Sequence, residues 1–497
     1  MREPALARIL LPMPDRAALP PLPPRLRAPW PGAFAAEIAR SPLGFVRRVA
    51  AHGGDLVRVR AAGRTLVVVA HPELAREVLV TQQKKFARGF AHRGLKLVLG
   101  EGLLTSEDPL HRRQRRVVQP AFHRDRIAGY ARAMTAAADR WHDGWHARWA
   151  ARQGGGGVAG PHPLAVDAAA EMSTLTLGIA GETLFGARVD GAAAEVADAL
   201  SAALRVAPLA FVPFGGLVLR SPLPVARRFR QARARLDRVV LGMIAERRRA
   251  RAAGADDRPD DLLAMLLDAT DPEAEGGDAG PMSDAQLRDE VMTLFLAGHE
   301  TTASALSWTW HLLAEHPLVQ ERLHAELDAV LTDAGGRPRA PAFDDLARLP
   351  YARMVLSEAM RLYPPAYAVG RLCAEDTTLG HHRIERGWGV LTSPWLVHRD
   401  ARWWPDPLRF APERWAADDP ARPRFAYFPF GGGSRICIGE QFAWTEATLV
   451  LATLARGWTV RPAPGREVRA QGAVTLRPAS GVHVLLTPRH VAGGSPA

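Results

Sequence analysis

The chain of 497 residues is 47% hydrophobic and 23% charged, a composition that is typical of globular proteins and excludes a disordered tail protein. Its two cysteines, Cys373 and Cys437, are too few for a disulfide scaffold and favour a reducing cytosol. The net charge is +12, but the basic residues are almost all arginines spread along the chain. We therefore expect no nucleic-acid partner and favour a basic docking patch for an acidic protein.

The apolar stretches of the sequence predict neither a targeting segment nor a transmembrane anchor. Residues 9–13 are a short stretch broken by Pro12, and residues 206–219 are interrupted by prolines and glycines. Both fall short of the roughly 20 residues that span a bilayer. A soluble, cytoplasmic protein is the expectation.

Taken in chain order, the patterns predict a mainly α protein with small β-sheets. Residues 1–40 are proline-rich and predict an extended N-terminal arm, and residues 41–490 predict one large domain, because no break is long enough to be a linker. Alternating and β-branched residues within 56–69 predict a hairpin. Residues 73–330 are mostly helical in pattern, and short strand-like runs follow toward the C-terminus.

One predicted helix is unusually long. It begins at Ser283, a good N-cap residue, and its apolar pattern continues to His316-Pro317. At 1.5 Å per residue such a helix is roughly 48 Å long and must cross the whole molecule.

Polar residues interrupt the middle of this helix, in the segment Ala297-Gly-His-Glu-Thr-Thr302. A polar group inside an apolar helix is costly unless it is paired or functional. The hydroxyl of Thr301 can bond the carbonyl four residues earlier and bend the helix, which would open a groove beside Gly298. The residues alone leave open a structural role, with Glu300 in an ion pair and Thr301 as a kink.

The most informative stretch is the loop Phe430-Gly-Gly-Gly-Ser-Arg-Ile-Cys437-Ile-Gly439, which precedes a strongly helical run. Its glycines allow a flat ligand to approach the backbone closely. A cysteine at or just before a helix N-terminus favours the thiolate, a soft metal ligand. No Gly-Lys-Ser/Thr follows, which argues against a phosphate loop, but a covalent nucleophile and a simply buried cysteine stay open.

The pattern Phe-x-x-Gly-x-Arg-x-Cys-x-Gly, formed by Phe430, Gly433, Arg435, Cys437 and Gly439, resembles the haem-binding loop of the cytochrome P-450 family of haem-thiolate monooxygenases. The resemblance implies a single large domain in which the long central helix lies over haem b, iron protoporphyrin IX. It further implies that Cys437 is the axial iron ligand and that Arg435 binds a haem propionate.

Other segments resemble the family in order and spacing. The segment Ala297-Gly298-His-Glu300-Thr301 resembles the oxygen-binding groove, which implies that Ala297 and Gly298 lie beside the haem and that Glu300 and Thr301 relay protons to dioxygen. Glu358 and Arg361, which share the spacing of many pairs in this arginine-rich chain, resemble the family's structural lock by their position.

The remaining correspondences concern arginines. Arg414 in Ala-Pro-Glu-Arg completes the implied lock, and Arg371 falls where the family has a propionate partner. Arg115 matches a second such partner, whereas His111 stands where the family usually has tryptophan and is implied as a weaker propionate contact. The neighbouring arginines within 112–116 could equally form a solvated helix face.

The resemblance also implies partners. Two electrons would come from a separate ferredoxin or flavodoxin with its reductase, docked on the basic helix at 112–116. Segments 86–105 and 200–225 would cover the pocket, and the apolar character of 206–219 is consistent with hydroxylation or epoxidation of a fatty acid, terpenoid or similar hydrophobic molecule.

Three alternatives remain at this point. The first is a haem-thiolate enzyme that uses peroxide without external electrons, and the pair Glu300 and Thr301 argues against it. The second is a non-catalytic haem-binding protein, in which a proton relay would have no task. The third is a cysteine hydrolase, which would be colourless.

Overall fold

A computed structural model describes residues 19–153, 162–186, 199, 221–254, 261–269 and 282–489 of the chain, without the side chains of residues 90–93. The α-helices of these residues are α1 (Ala33–Arg40), α2 (Pro42–His52), α3 (Pro72–Arg76), α4 (Phe90–Leu99), α5 (Leu110–Val118), α6 (Arg124–Gln153), α7 (Ala168–Phe185), α8 (Pro224–Ala252), α9 (Leu262–Asp268), α10 (Asp284–Glu315), α11 (Pro317–Val330), α12 (Pro350–Leu362), α13 (Pro394–Val397) and α14 (Glu440–Ala455). The prediction of a mainly α fold is confirmed.

The strands are short, and apart from the one at Leu164–Asp167 they lie within residues 56–88 and 369–488. They are β1 (Leu56–Ala61), β2 (Arg64–Val69), β3 (Phe86–Arg88), β4 (Leu164–Asp167), β5 (Val369–Cys373), β6 (Thr377–Leu379), β7 (His382–Ile384), β8 (Gly389–Thr392), β9 (Trp458–Pro462), β10 (Ala470–Gly472), β11 (Leu476–Pro478) and β12 (His483–Pro488). Within the described ranges they form small sheets with the orders β1-β2-β8-β5-β3, β4-β12-β9, β10-β11 and β6-β7.

The predicted long helix is α10, with 32 residues. The hydroxyl of Ser283 accepts a hydrogen bond from the backbone N–H of Gln286 and caps the N-terminus, and the helix ends before His316 and Pro317 as predicted. It packs against α7, α8, α11, α12 and α14, so apolar side chains surround most of its length. It is therefore the central element on which the other helices are assembled.

The N-terminal part of the chain combines confirmed and corrected predictions. The hairpin is confirmed, since β1 pairs antiparallel with β2 from Leu56 opposite Val69 to Ala61 opposite Arg64. The extended arm predicted for 1–40 is corrected in part, because Ala33–Arg40 is helical and buries Phe34 in the core. Residues 1–18 lie outside the described residues.

The segments predicted to cover the pocket differ from simple loops. Residues 86–105 contain β3 and α4, and only the stretch after Gly100 is a loop. The apolar segment 206–219 lies outside the described residues. Among the helices that are described, none combines the length and apolar character needed to cross a lipid bilayer.

A buried ion cluster joins α12 to the segment that follows α13. The carboxylate of Glu358 accepts hydrogen bonds from Arg361 Nε (2.8 Å) and Nη2 (2.9 Å), from Arg414 Nε (3.1 Å), from Trp415 Nε1 (3.0 Å) and from the backbone N–H of Ala411 (3.1 Å). The side chains of Glu358 and Arg361 are both 0% exposed. A buried ion pair is tolerated when its remaining hydrogen-bonding capacity is also satisfied, which is the case here.

Arg361 extends this cluster toward the cysteine loop. Its Nη1 donates to the backbone carbonyls of His398 (2.7 Å) and Pro407 (2.7 Å), and His398 Nε2 accepts from the backbone N–H of Phe428 (2.9 Å). Burial and the nearby arginines hold the pKa of His398 well below its usual range, which keeps Nε2 an acceptor. The backbone that leads into the Cys437 loop is thus fixed to α12.

We expect Arg361→Lys to lower the free energy of unfolding by about 3–5 kcal/mol, because a single ammonium group cannot replace the guanidinium fork and would leave the buried carboxylate underpaired. The measurement is the midpoint of chemical denaturation. Arg76→Lys is the matched control, since Arg76 pairs with Glu73 at the same spacing but the two side chains are 48% and 47% exposed. Its expected effect is at most about 0.5 kcal/mol, and equal effects in both variants would contradict the assignment.

Candidate active site

The Cys437 loop is a tight turn joined directly to a helix. Gly433–Arg435 forms a single 3-10 turn, and the backbone N–H of Cys437 donates to the carbonyl of Phe430 over 3.0 Å. Gly439 is the N-cap of α14. The sulfur is therefore held between a hydrogen-bonded turn and the first residue of a long helix.

The glycines of this loop are required by the packing of the protein itself. Gly433 has φ +72°, and a Cβ atom there would lie 2.0 Å from the backbone oxygen of Leu79. A Cβ atom at Gly432 would lie 2.7 Å from the ring of Phe425. These glycines, which the sequence predicts for the approach of a flat ligand, are thus also required by contacts with the chain itself.

The pKa of the Cys437 thiol is set by opposing effects. The protein packed around the sulfur raises the pKa to about 11, and the Gly439 N–H and the Arg115 charge oppose this rise. Because Cys437 precedes the first helical residue, Glu440, it lies outside the first turn where the dipole acts, and the thiolate predicted from the sequence stays a prediction. Ligation by a soft metal would displace the proton.

Helix α5 lies against the cysteine loop. Arg115 Nη1 donates to the backbone carbonyl of Ile436, the residue before Cys437, over 2.8 Å. Partial burial lowers the pKa of Arg115. This contact agrees with the prediction that the helix at 112–116 lies on the cysteine side of the haem. Arg115 also supports the cysteine loop directly.

Two further arginines are brought side by side by strand pairing. Arg88 of β3 is the register partner of Arg371 of β5, and Arg371 is 7% exposed. Burial and the charge of Arg435 lower the pKa of Arg371 to about 10. Burial, Arg435 and Arg371 hold the pKa of Arg88 well below its usual range. Arg88, Arg371 and Arg435 therefore lie close enough for their positive charges to repel one another. We call these three residues the arginine cluster.

Arg435 connects the cluster to the turn before α5. Its Nη1 donates to the backbone carbonyl of Ser106 (2.8 Å), and its Nη2 donates to Glu107 Oε2 (3.1 Å) and lies 3.6 Å from Asp108 Oδ1. The carboxylates of Glu107 and Asp108 are 43% and 48% exposed. They therefore offset only part of the charge of the buried guanidinium groups.

His111 lies beside the arginine cluster as an uncharged side chain. It is buried, and burial together with Arg435 and Arg88 lowers its pKa to about 4. Its Nδ1 lies 3.4 Å from Asp108 Oδ1. A neutral imidazole contributes a hydrogen bond but no charge, in agreement with the weaker role expected for His111.

The residues fit the haem that the sequence resemblance implies. Haem carries a metal that accepts a thiolate ligand and two propionate carboxylates that need cationic partners. Cys437 provides the sulfur, and the arginine cluster provides crowded, buried guanidinium groups whose lowered pKa values carboxylates would raise again.

The interrupted segment of α10 has the geometry predicted for its threonine. Thr301 Oγ1 donates to the carbonyl of Ala297, four residues earlier, over 2.8 Å, and Ala297 itself is exposed. A Cβ atom at Gly298 would lie 3.4 Å from Leu184 of α7, an ordinary van der Waals distance, so the groove predicted beside Gly298 stays a prediction.

Glu300 is bonded to a distant part of the chain. Its Oε1 accepts a hydrogen bond of 2.6 Å from Thr475 Oγ1, while its Oε2 is buried and meets no partner among the described residues. Burial raises the pKa of the Glu300 carboxyl, and the Thr475 hydroxyl and the charge of Arg477 oppose this effect. The sequence left open an ion pair for Glu300, and its partner in the structure is instead the hydroxyl of Thr475.

Two acidic residues earlier in α10 hold the loop that follows α4. Asp289 Oδ2 accepts from the backbone N–H of Glu101 (2.8 Å), and Glu290 Oε2 accepts from that of Leu103 (3.0 Å). A Cβ atom at Gly102 would lie 2.1 Å from Thr293 Oγ1. Part of segment 86–105, which is predicted to cover the pocket, is therefore hydrogen-bonded to α10.

Two of these residues, Arg88 and Thr475, were not predicted from the sequence. Arg88 lies in the three-residue strand β3, which is too short for an alternating pattern to be recognised. Thr475 lies 175 residues from Glu300 and has no local signature. Only the pairing of β3 with β5 and the packing of the β10–β11 hairpin on α10 reveal them.

Known proteins resemble this chain over most of its length. A model of the family described as Cytochrome P450 matches residues 20–483. The matched range contains the cysteine loop, the arginine cluster and all of α10.

Curated relatives match over most of their own length. "Cyclooctatin synthase" from Streptomyces melanosporofaciens is 40% identical over 441 residues, which cover 88% of this chain and 90% of the relative. "Cyclooctat-9-en-7-ol 5-monooxygenase" from the same organism is 38% identical and covers 86% of both chains. "Pentalenene oxygenase" from Streptomyces avermitilis is 35% identical, covering 91% of this chain and 94% of the relative.

Proposed function

The chain belongs to the cytochrome P450 family and is a haem-binding P450 monooxygenase, and we propose that it oxygenates a terpenoid with electrons from a separate ferredoxin or flavodoxin and its reductase. The substrate class is supported by two relatives, whose names give cyclooctat-9-en-7-ol and pentalenene as the molecules acted on. Hydroxylation or epoxidation is the proposed reaction on this hydrophobic substrate.

Haem b is the proposed form of the cofactor. Covalent attachment of haem uses a Cys-x-x-Cys-His motif, and the sequence has only Cys373 besides Cys437. Cys373 is buried in β5, with its Sγ 2.9 Å from the carbonyl of Glu375. Non-covalent binding through Cys437 and the arginine cluster is therefore the arrangement that the chain offers.

When bound, haem supplies the iron on which dioxygen is activated, and the thiolate favours cleavage of the O–O bond. The chain's contribution to binding is electrostatic and geometric. Cys437 presents the sulfur from a turn fixed by Phe430 and Arg115. Arg371 and Arg435, with Arg88 and His111 beside them, bind the propionates by charge-assisted hydrogen bonds.

Glu300 and Thr301 form the proposed proton relay. Burial keeps the pKa of Glu300 above its usual value, so this carboxyl holds a proton more readily than an exposed glutamate does. The Thr301 hydroxyl, which donates to the Ala297 carbonyl, can turn to accept that proton while passing its own toward dioxygen. This pair distinguishes a monooxygenase from a haem carrier.

The electron donor is proposed to dock on the exposed side of α5. Arg112 and Arg116 are exposed, and Arg115 of the same helix contacts the backbone next to Cys437. Ferredoxins and flavodoxins are usually acidic, so opposite charges would attract them to this side of the molecule.

Binding of cyclooctat-9-en-7-ol or pentalenene is expected to shift the spin state of the haem, because an apolar ligand in the pocket displaces water from the iron. The measurement is an optical titration of the holoenzyme, with a long-chain fatty acid for comparison. A shift with the fatty acid alone would exclude the terpenoid proposal.

The cysteine ligand is tested separately. Cys437→Ser should lose the red-shifted band of the reduced carbon monoxide complex, whereas Cys373→Ser should keep it.

Thr301→Ala is expected to uncouple electron use from product formation, since the alcohol that delivers protons is removed. We expect product per electron pair to fall about tenfold or more. Thr309→Ala is the matched control, because Thr309 Oγ1 makes the same 2.8 Å bond to the carbonyl of Ala305 on the same helix. Full coupling in Thr301→Ala would contradict the relay, and no turnover in any variant would favour a carrier.

Arg116→Glu is expected to slow reduction by an acidic ferredoxin about tenfold at low salt, with the difference disappearing at high salt because charges are then screened. The measurement is stopped-flow reduction under carbon monoxide. Arg60→Glu is the control, since Arg60 is exposed on β1, at the opposite edge of the sheet from β3. Equal slowing by both variants would contradict docking at α5.

A further inference from the structure

The turn of the β10–β11 hairpin is held at both ends, at one end by α10 and at the other by Tyr367. Trp308 Nε1 of α10 donates to the carbonyl of Leu476 (3.0 Å), and Tyr367 Oη donates to the carbonyl of Ala473 (3.0 Å). The backbone N–H of Leu476 also donates to the carbonyl of Pro365 (2.9 Å). The hairpin turn therefore has a defined position relative to the middle of α10.

This turn carries Thr475, which is 5% exposed. Its hydroxyl donates to Glu300 Oε1 over 2.6 Å, which is at the short end of the range for O–H···O hydrogen bonds. Trp308 follows Glu300 by two helical turns, so the hairpin is anchored to the same side of the same helix. The position of Thr475 is thus set by contacts that do not involve Glu300.

The two oxygens of the Glu300 carboxyl are in different situations. Oε1 is bonded to Thr475, and Oε2 is buried without a partner among the described residues. A flexible acidic side chain with one anchored oxygen loses much of its freedom to rotate. The other oxygen is then the one from which a proton can leave.

We propose that Thr475 is a positioning residue for the proton relay, whose hydroxyl anchors Oε1 of Glu300 and thereby fixes the carboxyl from which the relay takes its proton. This inference rests on the proposed relay of Glu300 and Thr301. In that relay Glu300 gives up a proton, the Thr301 hydroxyl accepts it while passing its own proton on, and Glu300 regains a proton from solvent, so that both side chains return to their starting state.

The surrounding charges agree with an anchored acid. Burial raises the pKa of Glu300, and Thr475 and Arg477 of the hairpin both oppose this. The adjacent imidazole, His299, is buried and its pKa is lowered to about 4, so it is neutral near pH 7. The hairpin therefore supplies both the hydrogen bond and the positive charge that act on this carboxyl.

The test compares Thr475→Val, which removes the hydroxyl and keeps the shape, with Thr475→Ser, which keeps the hydroxyl, in the holoenzyme. The carboxyl C=O band of Glu300, identified by its loss in Glu300→Gln, is recorded by infrared spectroscopy at acid pH. We expect it to move to higher frequency in Thr475→Val, because a hydrogen bond to the carbonyl oxygen is lost, and to return in Thr475→Ser.

The second readout is product per electron pair. We expect a fall of about tenfold in Thr475→Val, the factor that loss of one strong hydrogen bond produces, and recovery to within about twofold in Thr475→Ser. Thr183→Val is the matched control, because Thr183 of α7 is buried and its hydroxyl makes a 2.6 Å bond to the carbonyl of Ile179. Its coupling and its Glu300 band should equal those of the unsubstituted enzyme.

The outcomes separate the two proposals. An unmoved band together with full coupling in Thr475→Val would overturn the positioning role and leave the relay intact. A moved band with coupling equal to that of Thr183→Val would show that the anchor exists but positions nothing, which also overturns it. Full coupling in Thr301→Ala would instead overturn the relay itself, whatever the band shows.

Discussion

The fold depends on a charge pair that is completely withdrawn from water. Burying Glu358 and Arg361 is unfavourable unless every lone pair and every N–H group finds a partner. Those partners come from two later segments, through Arg414 and the carbonyl of His398. Satisfying this single pair therefore dictates how α12, the segment after α13 and the chain leading to Cys437 are arranged. The position of the Cys437 sulfur therefore depends on an ion pair that does not include Cys437.

The elements that sequence patterns predicted well are those with local causes. The N-cap of Ser283 and the turn between β1 and β2 depend on residues within a few positions, and both are confirmed. Local spacing is insufficient where burial decides the role. Glu73 with Arg76 and Glu358 with Arg361 have the same spacing, yet one pair is on the surface and the other is fully buried.

The parts of the site that could not be predicted arise from contacts between distant segments. Arg88 becomes part of the site because β3 pairs with β5, and Thr475 because a hairpin near the C-terminus packs on α10. The pKa of the Cys437 thiol could not be predicted for a related reason. A helix dipole is a local effect, whereas the loss of hydration depends on all the atoms that fold around the sulfur.

The pairing of Arg88 with Arg371 also has a thermodynamic consequence. Like charges held together in a dry environment oppose folding, and an anionic ligand that neutralises them contributes to the stability of the folded chain as well as to its own affinity. Binding of the cofactor and folding of the chain are then linked, and the loaded protein would unfold at a higher denaturant concentration than the empty one.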